Sequence, residues 1–410
     1  MSIETIAADV QAHLWVYLSI PLIAGLIGYV TKMLAMKMMF HPQEFIGIKP
    51  PYLGWQGVVP RKATKMATVA TQLLVGTIIK PEELMARLDP ERMIREMERP
   101  LMAAAQDLVT EVGERFMPSL WHSTPTFARR ALIARVQREI PAMVEALWAD
   151  MAKDIDRYLD IQHLLVSSLT KDKALLGEIF KKVGAKEFVF FRNAGFWLGF
   201  VLGIVQLGCW IIWHQPWMIP LFGGIVGLIS DYVVLQMLFR PLQPKMILGL
   251  TVQGQFIARQ KEVARDYAEL ISKELLTPAH IVEEMLNGPL ADQLIDQIQR
   301  QVRDATERQL GVARPFVVMA MSSERYNEIR KFMVDRIIKL IPETSREMER
   351  YALDALDIKN TIADRMDRLT PQQFEGLLRP AFKEDEPYLI VCGAVLGFLI
   401  GELQAHLMLS

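Results

Sequence analysis

Cysteine, clustered histidine and catalytic signatures are all scarce in this chain. Two cysteines occur in 410 residues, Cys209 and Cys392, each within an apolar stretch. They fall near opposite ends of two stretches that run in the same direction, so no disulfide between them is expected and redox compartment is left open. The seven histidines (His13, His41, His122, His163, His214, His280 and His406) are scattered without metal-ligand spacing. There is no Walker loop, GxSxG elbow, glycine-rich dinucleotide turn or HExxH pair. Nothing argues for an enzyme, and no catalytic residue, metal or cofactor is assigned. The net charge is −1, from 46 basic and 47 acidic residues. No basic patch is interleaved with aromatics, so nucleic acid is not an expected partner.

Apolar residues, in contrast, make up 51% of the chain against 23% charged. The excess sits in four windows of about 20 residues, each enough to cross a hydrocarbon core of ~30 Å as a helix. The expected order is a membrane helix over 14–40 with an interfacial extension, an interfacial loop over 45–62 and a helical arm over 63–190. Membrane helices over 193–213 and 217–240 follow, then a second interfacial loop over 242–259, a second arm over 260–385 and a last membrane helix over 387–409. The N-terminus lacks the basic region of a signal peptide and carries Glu4 and Asp9, so the first apolar stretch is expected to be retained. That stretch is long for one crossing. Its second half is expected to bend toward the interface, with Lys32 and Lys37 reaching headgroups.

The order repeats. PLIAGLIGYVTKMLAMKMMFHP (21–42) and PLFGGIVGLISDYVVLQMLFRP (220–241) align without a gap at an offset of 199, with seven of 22 positions identical. GFWLGFVLGIVQ (195–206) and GAVLGFLIGELQ (393–404) share six of 12. The fold class is therefore an all-α integral membrane protein built from a duplicated unit: membrane helix, long amphipathic segment, glycine-rich membrane helix. No stretch reads as strand.

Glycines four apart, Gly195, Gly199, Gly203 and Gly393, Gly397, Gly401, predict close helix packing in lipid, opposite small residues around Gly25, Gly28, Gly224 and Gly227. Lys32 and Asp231 occupy the same place in the two copies with opposite charge. Charge inside a bilayer is costly and usually paired, so the two are expected to meet as a lock between copies or to take part in an ion step. Glu402 and His406, one helical turn apart, form a candidate polar pair. Trp55, Gln56, Arg61, Lys62, Gln253 and Arg259 are candidate headgroup contacts in the two loops, with Tyr52 beside them. Gly57 and Gly254 are expected to supply a positive φ. Basic residues flank the arms, so the positive-inside rule puts the arms in the cytoplasm and Trp15, Tyr17, Trp213 and Trp217 in an outer aromatic belt.

GLIGYVTKMLAMKMMFHP, WQGVVPRK, DIQHL and GAVLGFLIGELQ together resemble the bacterial membrane-protein family catalogued as domain of unknown function 445, over nearly the whole chain. Lys32 stands where that family usually has asparagine. The resemblance implies a bacterial membrane protein and offers no activity or catalytic residue to transfer; the inner membrane is the expected location. The function read from the residues is a non-enzymatic envelope scaffold or interaction module. Its partners would be membrane lipids and either a second copy or another envelope protein. The alternative is a carrier of lipid or another hydrophobic molecule, using methionines such as Met85, Met93, Met97, Met102, Met143 and Met151. Ion or proton transport ranks behind both, because four short spans leave little room for a polar path.

Overall fold

Leucine, isoleucine and methionine runs favour long helices, even across the Gly223–Gly224 pair, wherever lipid removes water as a competitor for backbone groups. A computed structural model of the protein describes residues 14–49, 53–213, 215–247, 249–310, 322–379, 383 and 386–409. The main elements in chain order are α1 (Leu14–Phe40), β1 (Ile46–Lys49), β2 (Leu53–Trp55), α2 (Pro90–Phe116), α3 (Thr126–Lys153), α4 (Ala185–Trp213) and α5 (Met218–Phe239). They continue with β3 (Lys245–Ile247), β4 (Leu250–Val252), α6 (Ala291–Leu310), α7 (Ser323–Leu356) and α8 (Glu386–Leu409). Helices α1, α4, α5 and α8 are long and apolar enough to cross a membrane. The protein is an all-α integral membrane protein in class. Glu4, Asp9, Tyr52 and His214 lie outside the described residues.

The chain divides into two units. The first takes the described residues of Met1–Leu73, Leu169–Tyr267 and Ala363–Ser410, and contains all four apolar helices. Helix α1 packs along α4, and α5 along α8, while α4 with α5 and α1 with α8 join the two pairs. Two antiparallel hairpins, β1–β2 and β3–β4, follow the outgoing helices α1 and α5. These hairpins correct the strand-free reading. Their strands are only three or four residues long, below what period-2 patterning can register. Gly249 turns the second hairpin with a φ of +80°.

The second unit, Leu74–Ser168 with Ala268–Ile362, draws on both halves of the chain. The central parts of the two arms are thus one compact unit, while 63–73, 169–190, 260–267 and the described residues of 363–385 belong to the first. Asp89 caps α2 by accepting from Glu91 N at 3.0 Å, with Pro90 at the first helical position. Phe116 on α2 meets Phe332 on α7 edge to face, ring centroids 5.5 Å apart, and Arg92 lies over the Tyr351 ring at 4.7 Å. Arg336 reaches Glu111 at 2.9 Å, and Asp89 N donates to Tyr351 Oη at 2.9 Å. Met93 and Met151 are buried in this unit, and Met85, Met97, Met102 and Met143 are half-buried.

Candidate functional site: a buried charge pair among glycines

Within the first unit, the packing of α1 on α4 depends on the absence of side chains. A Cβ at Gly28 would strike the carbonyl of Gly195, one at Gly199 would lie 2.5 Å from Ala24 O, and one at Gly203 2.7 Å from Pro21 Cα. The pair α5 and α8 has the same arrangement: Gly227 faces the Gly393 carbonyl, Gly223 and Gly397 face each other, and a Cβ at Gly401 would lie 2.7 Å from Pro220 Cα. Backbones this close gain dispersion contacts that larger residues would forbid. Gly25 and Gly224 sit more loosely, beside Phe196 and Phe398 respectively.

This close packing surrounds Lys32 and Asp231. Lys32 is 0% exposed, and its Nζ donates to Asp231 Oδ1 and, at 2.5 Å, to Ser230 Oγ. Ser230 Oγ in turn donates to Gly227 O at 3.2 Å. On the other half, Thr31 Oγ1 donates to Ile27 O at 2.8 Å. Lys32 therefore does not snorkel. Helix α1 runs unbroken to Phe40, and the lysine finds an anion inside the bundle rather than at the headgroups; Lys37 is the exposed one.

Two glycines make room for the pair, a relationship not read from sequence. A Cβ at Gly195 would collide with Lys32 Cδ, and one at Gly393 with the Asp231 carboxylate. Each charged side chain is thus housed by the first glycine of the row in its own half. The sequence offers only a hint, in that Lys32 and Asp231, and likewise Gly195 and Gly393, hold equivalent places in the two copies. Asp231 Oδ2 has no hydrogen-bond partner among the described residues. The pair is held by one carboxylate oxygen and one hydroxyl, in surroundings where breaking it is costly.

Other predicted residues fall elsewhere. Glu402 and His406 are both exposed, and no hydrogen bond or ion pair joins them among the described residues. Their helical spacing allows contact, but each side chain turns outward. Tyr17 leaves the aromatic belt, being buried with Ile20, Trp210, Ile219 and Ala405, whereas Trp15, Trp213 and Trp217 are exposed. Gln56 Nε2 donates to Gln43 O at 2.8 Å and Gln253 Nε2 to Leu242 O at 3.1 Å, so both amides close the base of a hairpin. Gly57 and Gly254 have φ values of −52° and −53°, correcting the expected positive φ. Glycine is needed there because a Cβ would press on the chain leaving the preceding helix, at His41 N for Gly57 and Arg240 N for Gly254. Trp55 is half-buried, and Arg61 and Lys62 are engaged with other groups of the chain.

Arg259 pairs with the fully buried Glu187 and donates to Glu262 at 2.7 Å, while Lys186 reaches Glu262 at 2.8 Å. The Lys186 ammonium and the Arg259 guanidinium hold the Glu262 carboxyl down to about 2. Glu187 and Arg259 are 72 residues apart, and no motif announces them.

A protein of Nostoc punctiforme named UPF0754 membrane protein is 22% identical over 96% of this chain and 97% of its own length. This chain resembles UPF0754 membrane proteins from end to end. A namesake from Synechococcus sp. (strain JA-3-3Ab) is 23% identical over 97% of this chain and 99% of its own. One from Staphylococcus aureus (strain JH9) reaches 31%, over 22% of this chain and 25% of its own. No family model and no solved structure matches. UPF0754 is an uncharacterised bacterial family, in keeping with the resemblance read from the sequence. It supports a membrane protein, without an activity attached.

Proposed function

We propose that this protein is a non-enzymatic, multi-pass protein of the bacterial inner membrane, serving as an envelope scaffold or interaction module with its helical segments in the cytoplasm. The observation that supports this reading is the Lys32–Asp231 pair. Both side chains are buried, each is enclosed by a glycine of its own half, and Ser230 occupies a further donor of the ammonium. Charges held in this way join the two halves and are not poised to release an ion. The orientation draws on basic residues at the helix flanks, among them Lys37, Lys182 and Arg240.

Native mass spectrometry of the detergent-purified chain tests the role. A second copy or a stoichiometric protein partner is the expected result. Co-purified lipid that the chain hands over to acceptor vesicles would replace the scaffold with the carrier.

A further inference from the structure

The first 13 residues of α3, Thr126–Arg138, read TFARRALIARVQR and hold four arginines and no carboxylate. At the helical period, Phe127, Arg130, Ala131, Ala134, Arg135 and Arg138 share one stripe. All six are exposed. Phe127 is 75% exposed, and Leu120, on the preceding short helix, 66%. The next carboxylate, Glu139, is taken up by Arg308 at 3.6 Å. The matching stretch of the second half, at an offset of 201, has Glu328 in the place of Phe127 and Asp335 in the place of Ala134. Its Phe332 packs on Phe116, and its Arg336 pairs with Glu111. Arg138 Nε donates to Ala134 O of its own helix at 3.3 Å, and no carboxylate pairs with Arg130, Arg135 or Arg138 among the described residues, so only the first half presents a basic, aromatic-tipped face without a counter-charge.

We propose that this face of α3 binds the surface of an anionic phospholipid bilayer, giving the helical unit a membrane contact of its own, separate from the four spans. Guanidinium groups meet lipid phosphates bidentately, and a phenylalanine with a neighbouring leucine suits the headgroup–acyl boundary. A basic helix alone would also suit an acidic protein. The exposed aromatic and the small Ala131 and Ala134 between the arginines favour a surface that accepts insertion.

The full chain in nanodiscs of phosphatidylcholine, mixed with vesicles, tests this. Flotation with vesicles containing phosphatidylglycerol, but not with pure phosphatidylcholine vesicles, is expected, and it should be lost at high salt. The triple substitution R130E/R135E/R138E should weaken flotation at least tenfold, and Phe127→Ser several-fold with the charges intact. An unchanged thermal melt of these surface variants keeps the comparison clean. Where the unit binds the bilayer that carries it, slowed hydrogen exchange over 126–138 on moving from phosphatidylcholine to phosphatidylglycerol nanodiscs replaces flotation as the expected result. Wild-type chain that neither floats with anionic vesicles nor gains protection in anionic nanodiscs overturns the proposal. Salt-sensitive binding to an acidic protein alone would do the same.

Discussion

Lys32 on α1 and Asp231 on α5 lie 199 residues apart in the chain and form an ion pair buried within the span unit. Ser230 accepts from the same ammonium. Removing one partner strands the other in hydrocarbon, at a cost of about 3–5 kcal/mol for a dry site. Lys32→Met and Asp231→Leu should each lower the thermal midpoint in detergent, and the double variant should recover most of the loss. Additive losses would mean that the two charges contribute independently.

Gly199 and Gly397 face the backbones of Ala24 and Gly223, whereas a Cβ at Gly208, also on α4, would meet nothing within 4 Å. Gly199→Leu and Gly397→Leu should therefore destabilise by about 1–3 kcal/mol or more, by overpacking. Gly208→Leu should leave the melt unchanged. Equal behaviour of the three variants would place the glycine rows against lipid.

Glu145 and Glu328 are exposed in the helical unit. In a background with Cys209 and Cys392 replaced by alanine, cysteines at either position should resist a membrane-impermeant maleimide in intact cells and react after lysis. Labelling from outside would invert the proposed orientation.

The hairpins present Ile48 at 91% and Met246 at 81% exposure, close to the ends of two spans. Tryptophan placed at either position should be quenched by lipids brominated high on the acyl chain. Quenching by aqueous iodide with no effect of bromolipid would put the hairpins in water.

Burial first, and then the hydrogen bond to Asp150 at 2.5 Å, push the Tyr158 phenol up to about 12. A raised value favours the neutral form in the fold. Its contribution is complete below an ordinary phenol value of about 10 and is lost as pH rises through about 12. The melting temperature should decline across that window, and Tyr158→Phe should flatten the decline while costing about 1 kcal/mol at neutral pH.

The four spans are legible because a bilayer demands about 20 uncharged residues in a row, and hydropathy reads that directly. The start of α4 is less so: the helix begins at Ala185, since KEFVFFRN continues the hydrogen-bond register before the apolar window opens. The Lys32–Asp231 pair is foreshadowed by two equivalent positions with opposite charges. The housing at Gly195 and Gly393 needs three-dimensional register, because a glycine row looks the same whether it admits a backbone or a side chain. Glu187 and Arg259 carry no shared pattern, and burying that carboxylate depends on packing between distant segments. The joining of the arms is likewise hidden: amphipathic faces such as that of α2 state that they need cover, and only the fold shows that α7 supplies it.

The separation of the charge pair along the chain has a consequence in time. At roughly 5–20 residues per second, the 199 residues between Lys32 and Asp231 take on the order of 10–40 s to synthesise. Throughout that interval α1 is complete while its counter-ion is still being made, and α2 likewise waits for the face of α7. The lysine of the nascent first half therefore has no Asp231 to pair with until the second half is made, and the pair cannot close earlier than that.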